Sequence, residues 1–348
     1  MKKIFFTAFA AALALVACNR NEDVQVGPKD IRITVDAIGA TAATKATGVT
    51  AQANRNDSAD EAAVNSLQVF VFNGDALDGY GSSSTRTATV SCTSGAREVY
   101  AVVNAESLAS VTSKSALLQQ VATLGPNASA FQMIGSTSVT LQADGVVPIN
   151  VSRHAARVVI KGIKNSLSNA ALASQFRILA VYLTNVAGDV DFGHSVDYSI
   201  QNWYNKRGYQ AANSLVPATY DAVNAAVAAG STYDTAHYFY SMPNAYPGAV
   251  GGVFTPRAAR LVIKVQIGDN VYDYPILMPA LESNKSYEIN LVDITRMGNL
   301  DDGNEPDDNH PDDDDEEKPV QGFEQGFEIT VNDWTVVLVG DDNGNITI

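Results

Sequence analysis

Cysteine is nearly absent from this chain of 348 residues: there are two, Cys18 and Cys92. A disulfide framework is excluded if Cys18 has another use. Basic charge is also scarce. Twenty-three Lys and Arg stand against 38 Asp and Glu, a formal net charge of -15, so the basic footprint of a nucleic-acid binder is missing and no nucleic-acid partner is expected. Most of the acidic excess is local, since Asp301 to Glu317 holds eleven acidic residues and no basic one. Four histidines, His154, His194, His237 and His310, sit in unrelated contexts. None belongs to an HExxH motif, and CxxC, GxSxG, Walker and GxGxxG patterns are missing as well. Catalysis, metal and cofactor are therefore not expected.

The longest apolar run opens the chain. Met1-Lys2-Lys3 is a basic n-region, and Ile4 to Val16 has the length of a secretory h-region, too short to span a bilayer as a helix. Leu15-Val16-Ala17-Cys18 then forms a lipobox. Residues 1–18 are read as a lipoprotein signal peptide with Cys18 the acylated residue that becomes the mature N-terminus, so that the mature protein is anchored by lipid. Cys92, left alone beside Val90, is expected to be a small buried strand residue.

Strand periodicity dominates the rest. Residues 31–38, IRITVDAI, place Ile31, Ile33, Val35 and Ala37 on one side. Residues 39–62 are small and polar with no sustained period, an exposed loop in which Lys45 and Arg55 are the only basic residues. Such a loop suits a trypsin-like protease, though composition alone favours a loop that is not processed. In 64–73 Leu67, Val69 and Val71 face one way and Phe70 and Phe72 the other, a strand covered on both faces. Further strands are expected at 85–91, 96–104, 131–134, 138–141 and 146–151, with helical spacing over Leu108 to Leu124. Beyond residue 151 strands are expected at 158–163, 177–184, 236–241 and 285–294, with a short helix at 222–229. A hairpin at 260–267 and 271–278 turns through Gly268-Asp269-Asn270. Residues 300–319 read as an acidic linker.

The fold class that follows is mainly β: two β-sandwich (transthyretin-like) domains in tandem, with a short helix in the first. The expected boundaries are 19–150 and 151–348. Region 326–348 closes the chain on an apolar note. Trp334, Val336 and Leu338 alternate with Val337 and Val339, so this stretch is apolar on both faces and needs cover from something else.

Several blocks together resemble a Bacteroidales major fimbrillin of the FimA type, the subunit of lipoprotein-derived (type V) pili. They are LVAC at 15–18, IRITVDAI, VNSLQVFVFNGD at 64–75, CTSGAREVYAVVNAE at 92–106, SRHAARVVIKGIK at 152–164, NKSYEINL at 284–291 and VNDWTVVLVG at 331–340. The acidic insert departs from the family pattern. The resemblance implies a structural pilin whose precursor is cut by a trypsin-like protease after the first strand, here between Lys45 and Ala46, with Arg55 and Asn56 as second choice. The family's cut follows arginine, and Lys45 is lysine. Loss of the first strand would open an apolar groove for the C-terminal strand of an identical subunit, with Trp334 as the anchor in its own domain. The donor would comprise Thr335, Val336, Val337, Leu338, Val339, Ile346 and Ile348. Accessory fimbrial subunits are further implied partners, and adhesion and biofilm formation the implied outcome. The competing readings are an accessory tip or anchor subunit, and a surface glycan-binding lipoprotein using Trp203, Tyr204, Tyr209 and Tyr238 as a sugar platform.

Overall fold

The computed structural model describes residues 29–39, 61, 64–124, 131–205, 219–246, 249–250, 253–254, 257–301, 335–338 and 345–347; of 38–39, 249–250, 253–254, 335–338 and 345–347 only the backbone is described. In the first half the strands are β1 (Asp30–Gly39), β2 (Leu67–Asn73), β3 (Ala76–Ser83), β4 (Thr87–Thr93), β5 (Gly95–Val103), β6 (Val121–Thr123), β7 (Met133–Leu141) and β8 (Gly145–Arg153). A short helix, α1 (Lys114–Leu118), is capped by the Ser113 hydroxyl accepting from the Ala116 N–H at 3.1 Å. In the second half come β9 (Ala156–Ile160), β10 (Ile163–Asn165), α2 (Ala170–Ala173), β11 (Phe176–Thr184), β12 (Val186–Ala187), β13 (Asp189–Asp191), β14 (Trp203–Tyr204), β15 (Tyr220–Ala226), β16 (Thr232–Tyr233) and β17 (His237–Ser241). They are followed by β18 (Ala249–Val250), β19 (Val253–Phe254), β20 (Arg260–Ile267), β21 (Asn270–Leu277), β22 (Lys285–Ile289), β23 (Leu291–Ile294), β24 (Asn299–Leu300), β25 (Thr335–Leu338) and β26 (Asn345–Thr347).

The strands of the first half run in the order β3-β2-β5-β7-β8-β1-β4. Only two residue pairs, Met133↔Arg153 and Ile134↔Ser152, join β7 to β8. The sheet folds over at that corner into a layer β3-β2-β5-β7 and a layer β8-β1-β4. Between them lie Leu67, Val69, Val71, Val99 and Ala101 from one side and Ile33, Val35, Val90, Val147 and Ile149 from the other, all buried. β3 closes the far side by lying close against β4. A Cβ on Gly79 would stand 2.5 Å from the Ser91 carbonyl oxygen, and one on Gly81 2.7 Å from that of Thr89, so glycine is what permits the approach.

The second half is also a sandwich. One layer is β17-β9-β22-β25 continued by β16-β10-β23-β26, and the other is β15-β11-β20-β21-β24. Val158, Ile160, Tyr287, Ile289 and Val292 meet Ile178, Leu183, Leu261, Ile263 and Ile276 in its core. The two-faced reading of β2 is borne out: its Leu67, Val69 and Val71 fill the first sandwich, while Phe70 and Phe72 join the cluster that runs into the second. That cluster crosses the junction through Phe131, whose ring centroid lies 4.8 Å from that of Tyr240. A short antiparallel ladder, β6 with β13, also ties the halves together.

Four expectations are corrected. The helix expected over 108–124 shrinks to α1, because residues 121–123 pair with β13. The helix expected at 222–229 is strand β15, drawn into register with β11. Strand β3 was not expected, since its sequence ALDGYGSS is poor in apolar residues. Residues 158–163 and 285–294 each divide into two strands, β9 with β10 and β22 with β23, which enter different sheets.

Candidate functional site: the seat of the first strand

β1 is the middle strand of its layer. It pairs antiparallel with β4 from Asp30↔Thr93 to Asp36↔Thr87, and parallel with β8 from Ile33↔Gly145 to Gly39↔Val151. Ile33, Val35 and Ala37 are 0% exposed and Ile31 7%, as the alternation predicted. Polar contacts pin its start. The Lys29 N–H donates to the Ser94 hydroxyl at 2.8 Å, the Ser94 N–H returns to the Lys29 carbonyl at 2.7 Å, and the Arg32 N–H donates to Asp144 at 2.8 Å. Near its end the Arg86 Nε lies 3.0 Å from Asp36 Oδ1, an exposed pair.

A strand in this position differs from an edge strand. If an edge strand left, one ladder would open; loss of β1 would expose the inner edges of both β4 and β8 and uncover Val90, Val147 and Ile149. The result would be a slot with hydrogen-bonding groups along both sides and an apolar floor, the geometry for strand addition.

The C-terminal strands are held differently. β25 pairs in parallel with β22 over Lys285↔Thr335 to Glu288↔Leu338, at the end of its sheet. β26 pairs in parallel with β23 over Leu291↔Asn345 to Asp293↔Thr347, at the end of another. The backbones of Thr335, Val336, Val337, Leu338 and Ile346 thus lie beside the second sandwich, remote in the pairing scheme from β1. Cys18, Lys45, Ala46, Arg55, Asn56, Trp334, Val339 and Ile348 lie outside the described residues, as does Tyr209.

Sequence reasoning missed a buried polar cluster where the segment after β1 rejoins the fold. Glu61 is 3% exposed. Its carboxylate lies 3.0 Å from Arg157 Nη1 and accepts from the Tyr240 hydroxyl at 2.7 Å, while its carbonyl accepts from Arg153 Nε at 2.7 Å. Arg157 reaches on to Glu288 at 3.3 Å and to the Ser286 hydroxyl at 2.9 Å. Burial opposes the charge on Arg157, yet Glu61 and Glu288 outweigh it and raise its pKa. Burial lowers that of Arg153 to about 10. Nothing in the local pattern around Glu61 signals this role, because its partners lie 92 to 179 residues away.

The histidines are not all in unrelated contexts. His154 Nδ1 lies 2.7 Å from His194 Nε2, and the His154 ring stacks on Phe192 with centroids 5.0 Å apart. His154 is fully buried, and burial followed by the neighbouring His194 lowers its pKa to about 3. A neutral imidazole pair at the junction is therefore the stable form. His154 follows β8 directly, and its ring is a packing element between the halves. Cys92 is buried on β4, as expected, and burial pushes its thiol pKa up, away from reactivity. Among the aromatic residues considered for sugar binding, Trp203 and Tyr204 lie on β14 and Tyr238 on β17, in separate sheets, and all three pack against the core.

Residues 30–150, the sandwich built around β1, match the family described as major fimbrial subunit protein (FimA). No curated protein matches the sequence. Among solved structures the chain is similar to a proposed cell adhesion protein from Bacteroides eggerthii DSM 20697, with 20% identity over 85% of this chain and 93% of that one and a TM-score of 0.56. It is also similar to a fimbrilin (FimA) from Porphyromonas gingivalis W83, with 16% identity over 76% of this chain and 91% of that one and a TM-score of 0.51. At these identities the likeness shows the fold, which is that of the fimbrilins. The first sandwich is thus similar to the FimA-type major fimbrial subunit proteins, and the fold of the longer chain is one it shares with a fimbrilin.

Proposed function

We propose that the chain is a pilin that polymerises by strand exchange after proteolysis. The precursor is anchored to the outer membrane through lipid on Cys18. A trypsin-like protease cuts between Lys45 and Ala46, or between Arg55 and Asn56, and frees β1. The region Thr335 to Ile348 of an identical subunit then takes its seat, with Trp334 left as the anchor in the donor's own domain. The observation that carries this reading is the position of β1 between β4 and β8 with two full ladders.

The energetics favour exchange once the covalent connection is cut. Burying Val336, Val337, Leu338, Val339 and Ile346 in the slot would contribute about 1.5–3 kcal/mol each before ordering costs. The main-chain ladders add to this on both sides. Donation from head to tail is a heterologous contact that does not close on itself, so a filament follows. Such a filament would support adhesion and biofilm formation.

Treating purified full-length protein with a trypsin-like protease tests the reading. A ladder of polymers resistant to mild denaturation is the expected result; absence of polymers, or polymers from a chain truncated after Trp334, would overturn it. The alternative is an accessory tip or anchor subunit of the same pilus. An anchor would keep its lipid and β1, so N-terminal sequencing of the surface form separates the two.

A further inference from the structure

The connection across residues 40–60 begins and ends beside one strand. Gly39, the last residue of β1, pairs with Val151 of β8, and two residues along β8 the Arg153 Nε donates to the Glu61 carbonyl. The two ends are nevertheless attached to different parts of the protein. β1 belongs wholly to the first sandwich, through β4 and β8. The Glu61 carboxylate belongs to the second, through Arg157 on β9 and Tyr240 on β17, themselves adjacent strands paired at Arg157↔Tyr240. Arg157 is shared with Glu288, which Lys161 also reaches at 2.6 Å. The carboxylate thus completes a chain of alternating charges that is largely withdrawn from water, where removal of one member leaves its partner buried with less compensation.

We propose that Glu61 is the retaining pin of maturation, a positioning residue that resolves what leaves from what stays. This rests on the strand-exchange reading above. When the connection is cut at either basic residue, β1 is severed from the chain that follows, while everything from Glu61 onward stays fixed to the second sandwich. The end of the vacated slot, at Val151 to Arg153, is thereby held in place beside β9, and the incoming strand meets a seat whose far end is already defined. Without the pin the new N-terminal segment is free to move through the junction, and the end of β8 loses its fixed neighbour.

The test uses the full-length protein, wild type against Glu61→Gln, before and after the trypsin-like cut. Hydrogen exchange read by mass spectrometry is expected to be slow at 153–160 and 237–241 in wild type in both states. In E61Q it should be about 5- to 30-fold faster there, the consequence of a change of one or two kcal/mol. The rate of cleavage should be unchanged, while the yield of polymer from cut protein falls; Glu61→Asp should recover part of that yield. Unchanged exchange in E61Q, or a polymer yield equal to wild type, would overturn the proposal. If E61Q does not fold, Tyr240→Phe, which removes only the hydroxyl contact to Glu61, decides by the same two readouts. Faster exchange in E61Q combined with no polymer from cut wild-type protein would leave the pin standing in the precursor and refute strand exchange instead.

Discussion

The strand proposed to leave is held by two neighbours, and the strands proposed to travel are held by one each. β1 has ladders to both β4 and β8, with Ile33, Val35 and Ala37 fully enclosed. Among the described residues β25 and β26 each end a sheet and have one ladder apiece, over four and three residues. The contrast separates two kinds of barrier. Spontaneous loss of β1 would break two ladders and uncover a core, so a cut in the chain is needed before exchange can compete. Release of the C-terminal strands opens a short ladder apiece, within reach of local unfolding. On the proposed reading, a chain built this way would stay monomeric until processed and be ready to donate afterwards.

A pair of substitutions probes that contrast most severely. Val35→Asp places a charge without a partner in the enclosed layer between the two ladders, and the precursor is expected to lose about 3–5 kcal/mol of stability. Val337→Asp on β25 is expected to leave the melting temperature of the precursor nearly unchanged and to abolish polymer formation after the cut. Thermal unfolding of both precursors, followed by a gel of the cut proteins, reads both outcomes. A large stability loss from Val337→Asp would mean that β25 is part of its own sandwich as firmly as β1 is part of the other.

Much of this contrast was legible in the sequence, though only one side of it at a time. Period-two alternation identified the inward set of β1 and the two faces of β2, because burial on a strand is set residue by residue. The hairpin of β20 and β21 was equally plain, with Gly268 at φ +65° supplying the turn conformation that other residues resist. What alternation does not carry is the identity of the neighbours. The central place of β1 could not be read from its own residues, because parallel pairing with β8 joins segments more than a hundred residues apart. Strand β3 was invisible for a related reason: Gly79 and Gly81 weaken its pattern and are there to let β4 approach. In β15 the alanines favour helix, and pairing with β11 overrides them. Glu61 and the pair of His154 with His194 gave no local signal at all, since each is made by contacts across the junction.

A milder prediction distinguishes the grip of the strands from the grip of the junction. His154 is held neutral, with a folded pKa of about 3 against 6.5 when unfolded. The unfolded chain therefore takes up a proton below pH 6.5 that the folded chain refuses, so this contribution to stability is complete above pH 6.5 and is lost as the pH falls toward 3. At pH 5 the loss amounts to about 2 kcal/mol. His194, lowered as well by burial though opposed by Asp191, acts in the same direction. β1, β4 and β8 contain no histidine, so exchange measured at pH 5 should quicken first around 154 and 194. His154→Gln is expected to flatten the melting curve's dependence on pH between 6.5 and 5; an unaltered dependence would show that the junction histidines are not its source.

The smallest effect concerns a charged contact near the end of β1. Arg86 and Asp36 form a well-aligned pair, but their side chains are 59% and 33% exposed. Water and salt screen such pairs, and Arg86→Ala is expected to cost about 0.2–1 kcal/mol, less as ionic strength rises. The same strand end also has a backbone contact, the Ala37 N–H donating to the Arg86 carbonyl at 2.9 Å, which the substitution leaves in place. If the ladders and the enclosed apolar row are what hold β1, the R86A precursor should remain monomeric without protease for as long as wild type does, measured by size-exclusion chromatography over days at low and high salt. Spontaneous polymers from uncut R86A would place the grip on β1 in its polar end, and the barrier to exchange would then be electrostatic and tunable by salt, with no need for a cut to lower it.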